Sequence, residues 1–302
     1  MILFEWGTYN ALSTLKQAAL LGTRITEIPP AMLSKKMAPG YYESYKAYGK
    51  EFFTTILAHG PYYHPLSEGG LKGHLTAIER ASLAGAEIYN YHLGVRKGND
   101  FDKHLEVLKK FYEKNKEMIY SIEPATNYNE FGTLDELEEL IISANELGIK
   151  AIPGLQLENI FLSELNVYET DDWEDAKEKA DVKFWLNIFE RFDKISNIMH
   201  FRFSQVIGLK YKNRFFKKRV PLGYGYPPIE PLSEALAIYL VDNALKRGFK
   251  KVIFVYTGLP EVKYKDLIDI YALVMKKAVD KLMRRDEQIE FGEFYKKMIE
   301  EE

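Results

Sequence analysis

Five side chains able to bind a metal stand at or near the ends of apolar, strand-like runs. They are His59 in Ala58-His59-Gly60-Pro61-Tyr62-Tyr63, His92 in Tyr91-His92-Leu93-Gly94, Glu123 in Ser121-Ile122-Glu123-Pro124, Glu158 in Gly154-Leu155-Gln156-Leu157-Glu158-Asn159, and His200 in Ile198-Met199-His200-Phe201-Arg202-Phe203. Gaps of 33 and 31 residues separate the first three, about one strand-helix repeat each. Two imidazoles and a carboxylate are a competent ligand set for zinc, manganese or iron. A lone His or Glu at a strand end is ordinarily a satisfied polar group. Donors on strands three to six, with another on strand seven, point instead to a shared ion. With Glu123 bridging, the five are expected to hold one or two divalent ions, zinc or manganese, suited to activating water and clamping a phosphoryl oxygen.

The elements that must position these donors alternate along the chain. Strands are expected at about 1–6, 24–29, 52–58, 87–92, 117–123, 149–157, 197–203 and 250–257. Helices are expected at about 11–21, 40–50, 71–84, 101–115, 133–147, 173–193, 231–247 and 263–283. Gly22, Gly85, Gly148 and Gly248 follow helical runs as stop signals, and Thr133 with Glu136 reads as a capping box. Eight βα units in 302 residues argue for an α/β fold, a (β/α)8 TIM barrel whose C-terminal strand ends share one mouth; a doubly wound sheet is the alternative. No linker or low-complexity tract divides the chain, so 1–302 reads as one domain, with 286–302 a charged helical tail packed on the outside.

Two long connections follow strands and so should rise from the mouth. One, 158–172, ends in Asp171-Asp172. The other, 204–230, carries Lys210, Lys212, Arg214, Lys217, Lys218 and Arg219 among Tyr211, Phe215 and Phe216, and reads either as a solvated basic loop or as a patch that tracks a phosphate backbone. His74 and His104 fall in helical patterns and are expected at the surface. His64 sits on the loop after strand three, and Glu5 and Glu27 near the ends of strands one and two are mouth residues or partners for cations.

Composition narrows the classes. A net charge of −3 leaves no global basic field for nucleic acid or membrane, so polyanion binding must be local. Without cysteine there are no disulfides, thiolate zinc sites or cysteine nucleophiles. Neither a signal segment nor a membrane-length apolar run is evident, which reads as cytoplasmic. Scarce glutamine with abundant Lys, Glu and Tyr suits a heat-adapted source.

Together the motifs resemble endonuclease IV, the metal-dependent apurinic/apyrimidinic endonuclease on the xylose isomerase-like TIM barrel. AHGPYY is similar to its His-Gly-Pro-Tyr element, HLG to its His-Pro-Gly, and IEPATN to its Glu-Asn-Thr. GLQLEN is similar to its Gly-x-x-x-Asp-Thr strand and MHFRF to its Met-His-Leu-Asn-Asp. The resemblance implies a first ion on His59, His92 and Glu123, a second on Glu123, Glu158 and His200, and Tyr62 against a damaged DNA strand. The chain departs from the pattern elsewhere. Phe161 stands where the family has histidine, Lys217-Lys218-Arg219 where it has Asp-x-His, Tyr256 where strand eight ends in glutamate, and Arg202-Phe203 where it has Asn-Asp. The protein ligands of a third ion are therefore gone.

Arg202, Lys217 and Arg219 can grip phosphate oxygens where that cation would sit. The expected activity is metal-dependent hydrolysis of phosphodiester bonds, with Glu123 and Glu158 as catalytic carboxylates and DNA or a phosphorylated small molecule as partner. A sugar isomerase or epimerase of the same superfamily and a non-catalytic metal-binding relative are the alternatives.

Overall fold

The protein is represented by a computed structural model that describes residues 3–62, 64–96, 100–127, 129–167, 172–211, 214–245 and 250–300. At 3, 210, 211, 214, 215, 244, 245 and 285–300 only the backbone is described. The side chains of Lys210, Tyr211, Lys212, Arg214 and Phe215, and residues Asp171 and Gly248, thus lie outside the described set.

Eight parallel strands close into a barrel, in the order β1-β10-β7-β6-β5-β4-β3-β2. They are β1 (Leu3–Tyr9), β2 (Ile25–Ile28), β3 (Thr55–His59), β4 (Ile88–His92), β5 (Ile119–Glu123), β6 (Ala151–Gln156), β7 (Ile198–Phe203) and β10 (Lys251–Tyr256). Side chains alternate between the two faces of each strand. Ile25, Leu57, Ile88, Ile152, Ile253 and Val255 fill the barrel's interior, while the intervening Ile56, Tyr89, Tyr120, Leu155, Phe201 and Phe254 pack against the surrounding helices. That parity decides which polar residues can meet in the mouth.

The helices follow their local signals. They are α1 (Leu15–Leu20), α2 (Pro30–Ser34), α3 (Tyr41–Phe52), α4 (Glu68–Leu83), α5 (Phe101–Lys114), α6 (Leu134–Glu146), α7 (Leu157–Glu164), α8 (Trp173–Lys179), α9 (Val182–Asp193), α10 (Ile229–Leu245) and α11 (Lys263–Glu300). α6 starts in the expected Thr133–Glu136 capping box, and Gly22, Gly85 and Gly148 take φ near +77 where the chain must leave a helix.

Four boundaries differ from expectation. β1 runs to Tyr9, so Glu5 lies deep in the barrel, where it accepts from Thr55 Oγ1 at 2.7 Å and pairs with Lys251 at 2.9 Å. The expected helix 173–193 breaks at Asp181, whose carboxylate caps α9 by accepting from Phe184 N at 2.7 Å. The 286–300 segment continues α11; its expected packing on the outside falls on side chains outside the described set. The 204–230 connection contains an antiparallel hairpin, β8 (Gln205–Tyr211) with β9 (Arg214–Val220), whose Val206, Ile207, Phe216 and Val220 are residue types that favour strands.

His74 and His104 are buried, not at the surface. Each sits on the apolar stripe of its helix, at i, i+3/i+4 and i+7 from buried neighbours such as Ala77, Ile78 and Ala81 or Val107, Leu108 and Phe111. His104 stacks on Phe131 with ring centres 4.2 Å apart, and neither ring nitrogen has a hydrogen-bond partner among the described residues. Burial pushes its pKa from 6.5 to about 4. The unfolded chain protonates this histidine first, so the stabilisation is intact above about pH 6.5 and is lost as pH falls toward 4. The loss is about 3 kcal/mol. His104→Leu should flatten that part of a urea-denaturation pH profile; an unchanged acid slope would show that His104 does not drive it.

Candidate metal centre and its pocket

The inward-facing strand ends put His59, His92 and Glu123 together. His59 Nε2 lies 3.3 Å from Glu123 Oε1 and His92 Nδ1 lies 3.1 Å from Glu123 Oε2. One donor atom from each of the three falls within 4.8 Å of the others, close enough to converge on a single ion. Their state fits a divalent cation. Burial at the pocket floor pushes His92 down to about 4, although its side chain keeps 34% exposure toward the pocket, so it offers a lone pair at neutral pH. Burial alone would raise Glu123, but neighbouring positive charge outweighs it and holds the carboxyl well below its usual range. Of the groups that lower it, His92 first, then Arg202 and a hydrogen bond with His59, Arg202 is the one that is permanently charged.

Arg202 occupies the centre of the mouth. Its Nε lies 2.9 Å from Glu123 Oε1 and donates to Gln156 Oε1 at 2.9 Å, while its Nη atoms grip both oxygens of Glu27 across the barrel. All four side chains are buried. Contrary to the expectation from sequence, Arg202 therefore does not project freely toward substrate. It is a fixed internal cation beside Glu123.

The other two expected ligands stand apart from the trio. The strand expected to reach 157 ends at Gln156, and the chain turns into α7 at Leu157, which makes Gln156 the inward residue and moves Glu158 to the first helical turn. Glu158 is buried and occupied: Oε1 accepts from Ser204 Oγ at 2.5 Å and from Gln156 Nε2, and Oε2 accepts from Ser204 N at 3.2 Å. His200 faces inward two residues before Arg202, hence one layer beneath the trio, with Nδ1 2.8 Å from Ser121 Oγ. Tyr256 is also turned away, because its parity is outward and its hydroxyl donates to Asp266 Oδ2 at 2.9 Å. Thr257 takes the inward position at the end of that strand and accepts from Gln156 Nε2 at 3.1 Å. Phe161 is buried and stacks on Tyr226 with ring centres 5.7 Å apart.

Around the trio opens a pocket of about 820 Å³, bordered by Tyr62, Glu158, Asn159, Lys217, Lys218 and Arg219 among others. The β8–β9 hairpin forms one wall. Lys217 is exposed along its stem, but its Nζ reaches into the mouth and donates to Asn159 Oδ1; desolvation there lowers its pKa despite nearby Glu158. Lys217, Lys218 and Arg219 have no carboxylate at ion-pair distance among the described residues. Tyr62, 67% exposed, lies over the two imidazoles at 5.3 and 5.5 Å between ring centres.

Three supporting residues went unread in the sequence: Asn90, Ser121 and Gln156. Asn90 Nδ2 donates to Glu123 Oε1, and Ser121 Oγ donates to Asn90 Oδ1 at 3.0 Å. For Asn90 and Ser121 the signal was available, since each precedes a ligand by two residues on the same strand and shares its face. Gly154 leaves them room, as a Cβ there would come within 2.5 Å of Ser121 Oγ and 2.6 Å of Asn90 Oδ1.

Comparison with known proteins places the chain. It is 74% identical over 303 residues, covering 100% of its own length and 99% of the other, to Uncharacterized protein MJ1455 of Methanocaldococcus jannaschii. The chain belongs to that protein's family. No protein-family model matches it. Among solved structures it is similar to endonuclease IV from Thermus thermophilus, with a TM-score of 0.63, 16% identity, and 90% of this chain and 99% of that one covered. It is also similar to a xylose isomerase domain protein from Planctomyces limnophilus, with a TM-score of 0.60, 12% identity, and coverage of 91% and 97%. At these identities the likeness is one of fold, the endonuclease IV and xylose isomerase-like (β/α)8 barrel.

Proposed function

We propose that the protein is a metal-dependent hydrolase of phosphodiester bonds that works with one divalent ion, zinc or manganese, held by His59, His92 and Glu123. The observation that carries this reading is the pairing of that trio with three cations, Lys217, Lys218 and Arg219, that border the same pocket without carboxylate partners among the described residues. An anionic substrate would complete both. When bound, the ion supplies Lewis acidity, lowering the pKa of a water and offsetting charge on the phosphoryl oxygens.

The chain's own residues supply the rest. Lys217 and Arg219 bind phosphoryl oxygens, Lys as a point charge and Arg through its planar fork. Tyr62 offers a face for a sugar or base ring. Arg202 keeps Glu123 ionised. Glu158 borders the pocket, and among the described residues its Oε2 accepts only from the Ser204 amide; held there by Ser204 and Gln156, it is the carboxylate we assign to take the proton of the attacking water. The substrate is DNA or a phosphorylated small molecule, handled in the cytoplasm. The isomerase alternative lacks support at the end of β10, where Tyr256 faces outward and Thr257 replaces a carboxylate.

Duplex DNA bearing an abasic site and bis(p-nitrophenyl) phosphate, each with Mn²⁺ or Zn²⁺, test the reading. Cleavage is expected, with Lys217→Met raising KM about 10-fold, the equivalent of ~1.4 kcal/mol of binding. No cleavage of either substrate, together with solvent deuterium entering a sugar C–H, would replace hydrolysis by isomerisation.

A further inference from the structure

His200 is buried, is not among the residues that border the pocket, and has one ring nitrogen engaged and one without a partner among the described residues. Donor counting along the chain it begins determines its protonation. The Glu123 carboxylate can only accept, so the Asn90 amide must turn its NH2 toward Glu123 and its oxygen toward Ser121. The single hydroxyl proton of Ser121 is then committed to Asn90 Oδ1, at 3.0 Å. Ser121 Oγ must therefore accept from His200 Nδ1, 2.8 Å away, so the neutral ring carries its proton on Nδ1 and leaves the Nε2 lone pair bare. The two groups at the base of the line, His200 and Ser121, lie one layer below the trio. Each link permits one direction only.

We propose that His200 is a positioning residue: as the Nδ1–H tautomer it fixes the hydrogen-bond direction Ser121 to Asn90 to Glu123, and so holds the Glu123 carboxylate where an ion needs it. Without the His200 donor, Ser121 is free to turn its proton away and Asn90 to flip, which would set an amide oxygen against the carboxylate. Partners of this kind, one bond removed from a ligand, typically command 10–100-fold in metal affinity. Arg202 Nε lies against the same oxygen, Oε1, so two donors fix that end of the carboxylate. The inference rests on reading His59, His92 and Glu123 as an ion site, and it assigns to His200 a role other than ligation.

The test begins with the ion-free protein. Two-bond ¹H–¹⁵N correlation spectra of His200 should show the Nδ1–H tautomer, and addition of Zn²⁺ should leave its nitrogen shifts far from those of a ligating imidazole. Calorimetric titration with Zn²⁺ and Mn²⁺ then compares variants whose thermal midpoints match the wild type. His200→Asn, which keeps a donor at the Nδ1 position, should bind within about 3-fold of wild type. His200→Leu and Ser121→Ala should bind at least about 10-fold more weakly. Failure of the wild type to bind either ion overturns the ion site and the relay together. An Nε2–H tautomer, direct ligation by His200, undiminished binding by His200→Leu and Ser121→Ala, or no rescue by His200→Asn overturns the relay alone.

Discussion

Replacing Arg202 with leucine is expected to destabilise the protein by about 3–5 kcal/mol, the cost of leaving buried charge unpaired. Glu27 and Glu123 are both buried, and Arg202 is the cation that lies against each. Much of that loss should be recovered in Arg202→Leu combined with Glu27→Gln, because the pair is costly chiefly when half of it remains. The pH dependence has a definite sign. In the wild type, Glu123 is held well below its usual range, so its stabilisation is present above the unfolded carboxylate range and is lost as pH falls through the folded value. In Arg202→Leu the buried Glu123 loses its permanent counter-charge and takes up a proton more readily than in wild type, so the deficit against wild type shrinks on acidification. Urea denaturation at pH 7 and pH 4.5 measures this. A loss below about 1 kcal/mol would mean that water, not Arg202, compensates the two carboxylates.

His59→Ala and Glu123→Gln should each lower affinity for Zn²⁺ or Mn²⁺ by more than about 100-fold, beyond the range commanded by outlying partners. Phosphodiester cleavage should fall to background with the ion. Glu123→Gln preserves shape and leaves Arg202 paired with Glu27 through two hydrogen bonds, so the change is expected to act on the ion more than on folding. Calorimetric titration of folded variants separates the two effects. Unchanged affinity in both variants would place any bound ion elsewhere.

The barrel and the trio are legible in the sequence because each depends on local rules. Strand and helix periodicity set the βα order, and a ligand at the end of each of three neighbouring strands can only face the common mouth. Sequence alone misplaces Glu158 by one residue of strand length: once the chain turns into α7 at Leu157, parity gives the inward position to Gln156. Arg202 falls on the correct face of its strand, yet its partner Glu27 lies 175 residues away, and no local pattern announces such a pairing. The apolar stripe around His74 and His104 already indicates burial, and their polar chemistry misleads. The hairpin resembles a loop by its length, and the runs Phe215-Phe216 and Lys217-Lys218-Arg219 show no alternation that would announce a strand.

The most direct measurement counts ions. Native mass spectrometry with elemental analysis, after saturation with zinc or manganese and removal of excess, should find one ion per chain, lost in His59→Ala and retained in Glu158→Gln. Two ions per chain with the second lost in Glu158→Gln, or none at all, would contradict a single centre on His59, His92 and Glu123 with Arg202 standing beside it.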